Sequence, residues 1–307
     1  MAILASILHV LLALAAAPLL LGVVSRTKAV FGGRHGPPFL QTYYDIAKLL
    51  RRGAVYSRTT TWVFRAAPVV GLAAVLAAVA VVPLGGVRGL LAFGGDIILL
   101  AYVLGLMRFM TVLAALDTGS AFEGMGASRE VQFSLLAELA LLLSLAALAA
   151  CTHSLGLSDI YARLFGHADA AAASLGPAAV LITAAMLIVL LTENARIPVD
   201  DPDTHLELTM IHEVMALDHG GVDLGFILYA SSLKLWVFSA LLVGVALPLR
   251  TGRPVVDLLA GVGGVFLTAI AIGVIESTMA RLRLLRVPEL LAVASVLAII
   301  AVVWVLR

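Results

Sequence analysis

The chain has 307 residues, 62% of them hydrophobic and only 13% charged, with 20 Lys and Arg against 19 Asp and Glu. Soluble domains run near 45–50% apolar and ~25% charged, so this composition excludes an ordinary soluble protein. The single cysteine, Cys151, excludes an internal disulfide, an iron–sulfur cluster ligated by this chain and a cysteine-rich zinc site, so any redox centre must belong to a partner.

The expected fold is an all-α integral membrane protein, a single polytopic domain over 1–307. Crossing a hydrocarbon core of ~30 Å takes about 20 apolar residues. Long apolar runs predict eight transmembrane helices near 3–24, 62–82, 89–113, 131–152, 172–191, 226–248, 256–280 and 289–306. The first is followed by Ser25-Arg26-Thr27-Lys28, with no small-residue cleavage pattern, and reads as a retained span. Basic residues divide by side. Arg26, Lys28, Arg34, Lys48, Arg51, Arg52, Arg58, Arg65, Arg129, Arg196, Arg281, Arg283 and Arg286 fall on one side, and only Arg88, Arg163, Arg250, Arg253 and Arg307 on the other. The positive-inside rule then makes loops 25–61, 114–130, 192–225 and 281–288 cytoplasmic and leaves both termini outside, in the inner membrane. No internal repeat is evident, which argues against an inverted-repeat exchanger.

In the first of these loops, Gly32-Gly33-Arg34-His35-Gly36-Pro37-Pro38 cannot be helix. The next stretch, 38–53, reads as an amphipathic interfacial helix. Pro38 suits its first position, Leu40, Tyr43, Ile46, Ala47 and Leu50 recur at helical spacing, and Gly53 ends it. Two uses stay open: a basic helix held by anionic lipid, or a docking face for another subunit.

The loop between spans five and six carries Glu193, Asp200, Asp201, Asp203, Glu207 and Glu213 together with Arg196, His205 and His212. A mere connection needs no such density. Either the loop is a solvated acidic surface, or it folds back into a polar cavity where carboxylates share Arg196 and the histidines. Asp203 is placed to cap a helix bearing His205, Glu207 and His212. The two histidines lie seven apart, but no His-Glu-x-x-His pattern is present, so no metal ligands are assigned.

A charge at bilayer depth costs at least ~2.5–3.5 kcal/mol on insertion scales, which marks Asp96, Arg108, Glu138, Lys234 and Glu276 as functional candidates beside the plain alternative of buried structural pairs. Asp96 and Arg108 are too far apart on one helix to pair, so Arg108 needs an acidic partner from a neighbouring helix or the charged loop. Glu130 and Glu138, eight residues apart, share a helix side and form a short polar file, with Asp117, Glu123 and Arg129 at its mouth.

These motifs carry a family resemblance. Glu193-x-x-Arg196-x-Pro198-x-Asp200 with Asp203 and Glu207-Leu208 resembles the acidic loop of complex I subunit 1/H. Arg34-x-Gly36-Pro37, Leu40-Gln41 and Asp45-x-x-Lys48-Leu49-Leu50 resemble that family's first loop. Thr204 to Glu213, Gly124 to Glu130 and Ile275-Glu276-Ser277 are similar to the hydrogenase branch, the membrane subunits of formate hydrogenlyase and energy-converting NiFe hydrogenases. His205 stands where complex I usually has a glutamate and His212 where it has an aromatic residue.

The resemblance implies a non-catalytic membrane anchor and energy-coupling subunit, linking a peripheral electron-transfer arm to proton or sodium translocation. The implied partners are a hydrogenase-like large subunit, a small iron–sulfur subunit, a ferredoxin-like iron–sulfur subunit, antiporter-like membrane subunits and membrane lipid, with no nucleic acid. The 4Fe–4S clusters and the NiFe centre would sit in those partners. Glu193, Arg196, Asp200, Asp203, His205, Glu207, His212 and Glu213 would form the coupling loop. Glu130, Glu138, Asp96, Arg108, Lys234 and Glu276 would form the intramembrane path, and Arg34, Gly36, Pro37, Gln41, Asp45 and Lys48 the docking face. A quinone-site subunit of a complex I-like oxidoreductase and a purely structural anchor are the competing readings.

Overall fold

A computed structural model of the chain describes residues 2–166, 170–200, 210–247 and 251–307. Those residues form helices α1 (Ala2–Phe31), α2 (Gln41–Leu50), α3 (Trp62–Val81), α4 (Asp96–Asp117), α5 (Ala121–Thr152), α6 (Leu157–Gly166), α7 (Ala170–Glu193), α8 (Gly221–Ala246), α9 (Pro254–Thr278) and α10 (Val287–Val305), with 3-10 turns at Glu213–Ala216 and Leu284–Arg286. Among the described residues eight helices are long and apolar enough to cross a membrane, all but the short α2 and α6.

α8 is the most enclosed of them and packs against α1, α2, α3, α7 and α9, while α5 packs against α4, α7 and α10. In α1, Pro18 has no N–H to offer the carbonyl of Leu14. The Tyr229 hydroxyl of α8 donates to that carbonyl at 3.0 Å, and the Tyr43 hydroxyl of α2 donates to the next one, Ala15. A proline deep in a span is tolerated when a neighbour satisfies the freed group, and here the neighbour also fixes where α8 meets α1. α2 then runs along α8, with Leu49 and Leu50 against Gly225 and the backbone of Gly53 against Gly221, whose φ of +57° and lack of a Cβ admit the close approach.

Several boundaries differ from expectation. α1 runs on to Phe31, α5 starts at Ala121 and α8 at Gly221, so the expected loop 114–130 shrinks to residues 118–120. The apolar runs stop where charges begin, but the helices continue because those charges find partners: Lys28 on Glu276, Arg129 on the Met210 carbonyl, Glu123 on the Asp218 N–H. α4 starts later than expected because residues 82–95 form a tight turn, with Gly85, Gly86 and Gly95 at positive φ. α2 begins at Gln41, not Pro38, and ends at Leu50. Residues 210–212 are not helical, so His212 precedes a 3-10 turn. Asp203, His205 and Glu207 lie outside the described residues.

Candidate functional site

Arg108 projects from the middle of α4 into a ring of carboxylates. Its Nη1 is 2.7 Å from Glu138 Oε2, its Nη2 is 2.5 Å from Glu193 Oε1, and its Nε is 3.7 Å from Glu130 Oε1. Glu130 and Glu138 reach it from two turns of α5, and Glu193 from the last residue of α7. Glu193 is shared, its Oε2 lying 2.8 Å from Lys234 Nζ of α8. Glu130 is shared with His212, whose Nε2 lies 3.4 Å away. The Arg108 side chain is 13% exposed and those of Glu130 and Glu193 less, whereas Glu138 is 39% exposed on the outer side of the cluster.

The charge balance follows from the residue types. Three carboxylates, Glu138 among them partly exposed, meet two permanent cations, Arg108 and Lys234, with the His212 imidazole beside Glu130.

A second group lies between α1, α9 and the turn after α7. Glu276 Oε2 is 3.1 Å from Lys28 Nζ, and Oε1 is 3.5 Å from Arg196 Nη1. Ala195 has φ +49°, uncommon for a residue with a Cβ, and this bend precedes Arg196 as the chain leaves α7. Asp200 closes the neck of the charged loop. Its Oδ1 meets Arg281 Nη2 at 2.7 Å, while its Oδ2 accepts from the backbone N–H of Ile211 at 3.0 Å and of His212 at 3.4 Å. One carboxylate thus ties the chain after α7 to Ile211 and His212 and orients the residue beside Glu130.

The remaining candidates lie elsewhere. Asp96 sits at the far end of α4, fully buried, and accepts from the Leu157 N–H at 2.6 Å, which caps α6. Glu213 is exposed at the start of its 3-10 turn. In the first loop Arg34 and Lys48 are exposed, Gln41 Nε2 donates to Asp45 Oδ1 at 2.9 Å, and the carbonyls of Gly36 and Pro37 accept from Arg26. Lys28 and Arg281 are not among the residues that the sequence singles out. By position each is an ordinary loop charge, and only the packing of α9 and of the segment after it brings them to Glu276 and Asp200. Among the described residues no group of three or more His, Cys, Asp or Glu is arranged to hold a metal ion.

Comparison with known proteins agrees with this architecture. The NADH dehydrogenase family matches residues 3–306. Formate hydrogenlyase subunit 4 of Escherichia coli (strain K12) is 31% identical over 296 residues, covering 94% of each chain. Hydrogenase-4 component C of the same organism is 30% identical over 298 residues, covering 94% of this chain and 90% of that one. In fold, a chain of the archaeal membrane-bound sulfane sulfur reductase (MBS), a respiratory membrane complex, superposes with a TM-score of 0.79 at 20% identity, covering 97% of this chain and 98% of that one. The chain is a multi-pass membrane protein that belongs to the NADH dehydrogenase family, and its relatives are components of formate hydrogenlyase, hydrogenase-4 and complex I-like membrane complexes.

Proposed function

We propose that this chain is the membrane anchor and energy-coupling subunit of a complex I-like, membrane-bound NiFe hydrogenase of the formate hydrogenlyase type. Its role is to link electron transfer in a peripheral arm to proton or sodium movement through neighbouring membrane subunits. The observation that carries the reading is the carboxylate cluster on Arg108, which starts at the charged loop with Glu193 and His212 and opens sideways at Glu138. A half-exposed carboxylate in the middle of a spanning helix is costly against lipid, so a protein neighbour is expected to cover that face. The likeness to formate hydrogenlyase subunit 4 over nearly the full length supports the choice of complex.

In this reading the chain performs no chemistry on a substrate. A change of charge in the peripheral arm alters the potential at the neck held by Asp200, and so at His212 and Glu130. A proton then moves by way of Glu130 and Glu138 toward the adjoining subunit. The peripheral arm, with its hydrogenase-like large subunit and iron–sulfur proteins, docks on the first loop around Arg34, Gln41, Asp45 and Lys48 together with the charged loop. The asymmetry of basic residues supports an orientation in the inner membrane with that side in the cytoplasm and both termini outside. The test is Glu138→Gln in the assembled complex, reconstituted in liposomes. Hydrogen evolution with sharply reduced ion movement is expected. Wild-type ion movement in an intact Glu138→Gln complex would overturn the proposal.

A further inference from the structure

A cavity of about 300 Å³ opens at the end of the molecule away from the charged loop. Four pieces of chain wall it: the turn 83–88, the first half of α6, the last residues of α8 and the first two turns of α9. Three of the four adjoin the ends of spanning helices, so the cavity sits at a membrane surface and not in the hydrocarbon interior. Its walls are fixed. Gly85 and Gly86, at φ +55° and +75°, turn the chain back, and Leu84 and Val87 exchange backbone hydrogen bonds of 3.3 and 3.0 Å across the bend. The turn then lies backbone against backbone on α9, where a Cβ on Gly261 would fall 2.8 Å from the Gly85 Cα. On the opposite wall the Tyr161 ring covers Gly244, and its hydroxyl donates to the Leu241 carbonyl at 3.0 Å. The space is built into the fold, as ligand pockets are, and is not a gap left by loose packing.

Charge gathers at its rim. Arg88 Nη2 meets Asp159 Oδ1 at 2.7 Å, yet the two side chains are 63% and 47% exposed. Arg88 Nε and Nη1 and Asp159 Oδ2 have no partner among the described residues. Asp257, buried in the wall, adds a second carboxylate, whose Oδ1 accepts from the N–H and hydroxyl of Thr251. Most of the remaining lining is apolar, with Leu84, Val87 and Val243 buried and Leu247 exposed at the edge. Val255 and Leu259, two residues to either side of Asp257 on α9, are exposed as well.

We propose that this cavity holds the headgroup of a zwitterionic phospholipid with a primary ammonium, of the phosphatidylethanolamine class, drawn from the leaflet on that side. The phosphodiester meets the unpaired guanidinium nitrogens of Arg88, and the ammonium meets Asp159 Oδ2. The acyl chains, for which the cavity is too small, run outside it along Leu247, Val255 and Leu259. One headgroup then joins the turn after α3 to α6, two pieces of chain that meet otherwise through a screened ion pair and the bond from the Gly89 N–H to Ser158.

The choice of headgroup follows from the rim. An anionic headgroup would bring its phosphate to Arg88 and also to two carboxylates, with no positive charge to answer them. A bare cation would leave the guanidinium unanswered. A choline headgroup carries both charges but has no N–H to give Asp159 a hydrogen bond. Because the Arg88–Asp159 pair is exposed, its attraction is largely screened, and exchanging it for phosphate and ammonium gives up little. The site stands whether or not the chain couples ion movement.

The test uses the full chain purified in detergent and titrated with dihexanoyl phosphatidylethanolamine, phosphatidylglycerol or phosphatidylcholine, with bound lipid counted by native mass spectrometry. The wild-type chain is expected to hold one phosphatidylethanolamine several-fold more tightly than either of the other two. Asp159→Asn removes both the partner of the ammonium and a charge that repels anions. It should weaken phosphatidylethanolamine several-fold and strengthen phosphatidylglycerol, a reversal of order that a packing defect does not produce. Ala260→Phe fills the cavity while leaving Arg88 and Asp159 in place, and it should abolish the tightly held lipid. Equal binding of the three headgroups by wild type, or an unchanged order in Asp159→Asn, would overturn the proposal. So would the same tight lipid in Ala260→Phe, because lipid would then coat the apolar belt without entering the cavity. Glycerophosphoethanolamine, which has the headgroup and no acyl chains, should compete only weakly; competition equal to that of the lipid would assign the cavity to a soluble ligand instead.

Discussion

The two ends of the molecule use buried charge in opposite ways. At the end away from the charged loop, each buried or half-buried acid meets its own small set of partners. Asp96 caps α6, Asp159 pairs with Arg88, and Asp257 accepts from the N–H and hydroxyl of Thr251. At the other end acids and cations are shared: Arg108 serves three carboxylates, Glu193 two cations, Glu276 two cations. A carboxylate held by a backbone N–H has one favourable arrangement and holds it. A shared one sits among several near-equivalent arrangements, and a small change in outside potential selects between them. In the proposed coupling role one end stays still and the other responds.

The largest effect is expected where the sharing is densest. Arg108→Met removes the cation common to Glu130, Glu138 and Glu193, and breaking a buried pair from one side typically costs about 3–5 kcal/mol. The variant should accumulate poorly or unfold far earlier in detergent. Adding Glu193→Gln and Glu138→Gln should restore part of the loss, since fewer charges are then stranded. Unchanged thermal unfolding of Arg108→Met, followed by circular dichroism, would mean that the cluster is open to water and not shared in the sense argued.

Next comes the quiet end. Asp96→Ala strands the Leu157 N–H and the start of α6, a loss of about 1–3 kcal/mol. Stability should fall while ion movement by the assembled complex, measured at a temperature where it stays folded, remains as in wild type. Loss of ion movement at full stability would place Asp96 on the path after all and erase the contrast between the ends.

This division is only half legible in the sequence. The eight spans are plain because an apolar run of about 20 residues has one use in a chain of this composition. That Arg108 needs an acid is plain from its depth, but which acids serve it depends on α5 and α7 meeting α4, a tertiary fact. The polar ends of α1 and α5 look like loop because charge interrupts an apolar run, and the partners that make such a helix end tolerable can lie hundreds of positions away, as Glu276 does from Lys28. α6 is invisible to a search for spans, being ten residues long.

A smaller effect tests the joint between α1, α2 and α8. Tyr229→Phe removes the hydroxyl that satisfies the Leu14 carbonyl freed by Pro18, and about 1 kcal/mol of stability should go with it. If Pro18→Ala is introduced in the same chain, helix α1 regains its own N–H donor and Tyr229→Phe should then cost little. Additive losses in the double variant, read from thermal unfolding, would show that the tyrosine acts elsewhere.

The smallest effect is expected at Arg88. Its ion pair with Asp159 is short, 2.7 Å, but the two side chains are 63% and 47% exposed, so water and salt screen most of the attraction. The turn that carries Arg88 is held by backbone contacts that survive truncation: the Ser6 hydroxyl donates to the Arg88 carbonyl at 2.8 Å, and the Gly89 N–H donates to Ser158 Oγ at 3.1 Å. Arg88→Ala should therefore shift stability by less than about 1 kcal/mol, with little dependence on salt beyond that lost pair. A shift as large as that of Asp96→Ala would mean that this end, too, depends on a charge whose loss the surrounding backbone does not absorb, and the contrast drawn from the two ends would have to rest on ion movement alone.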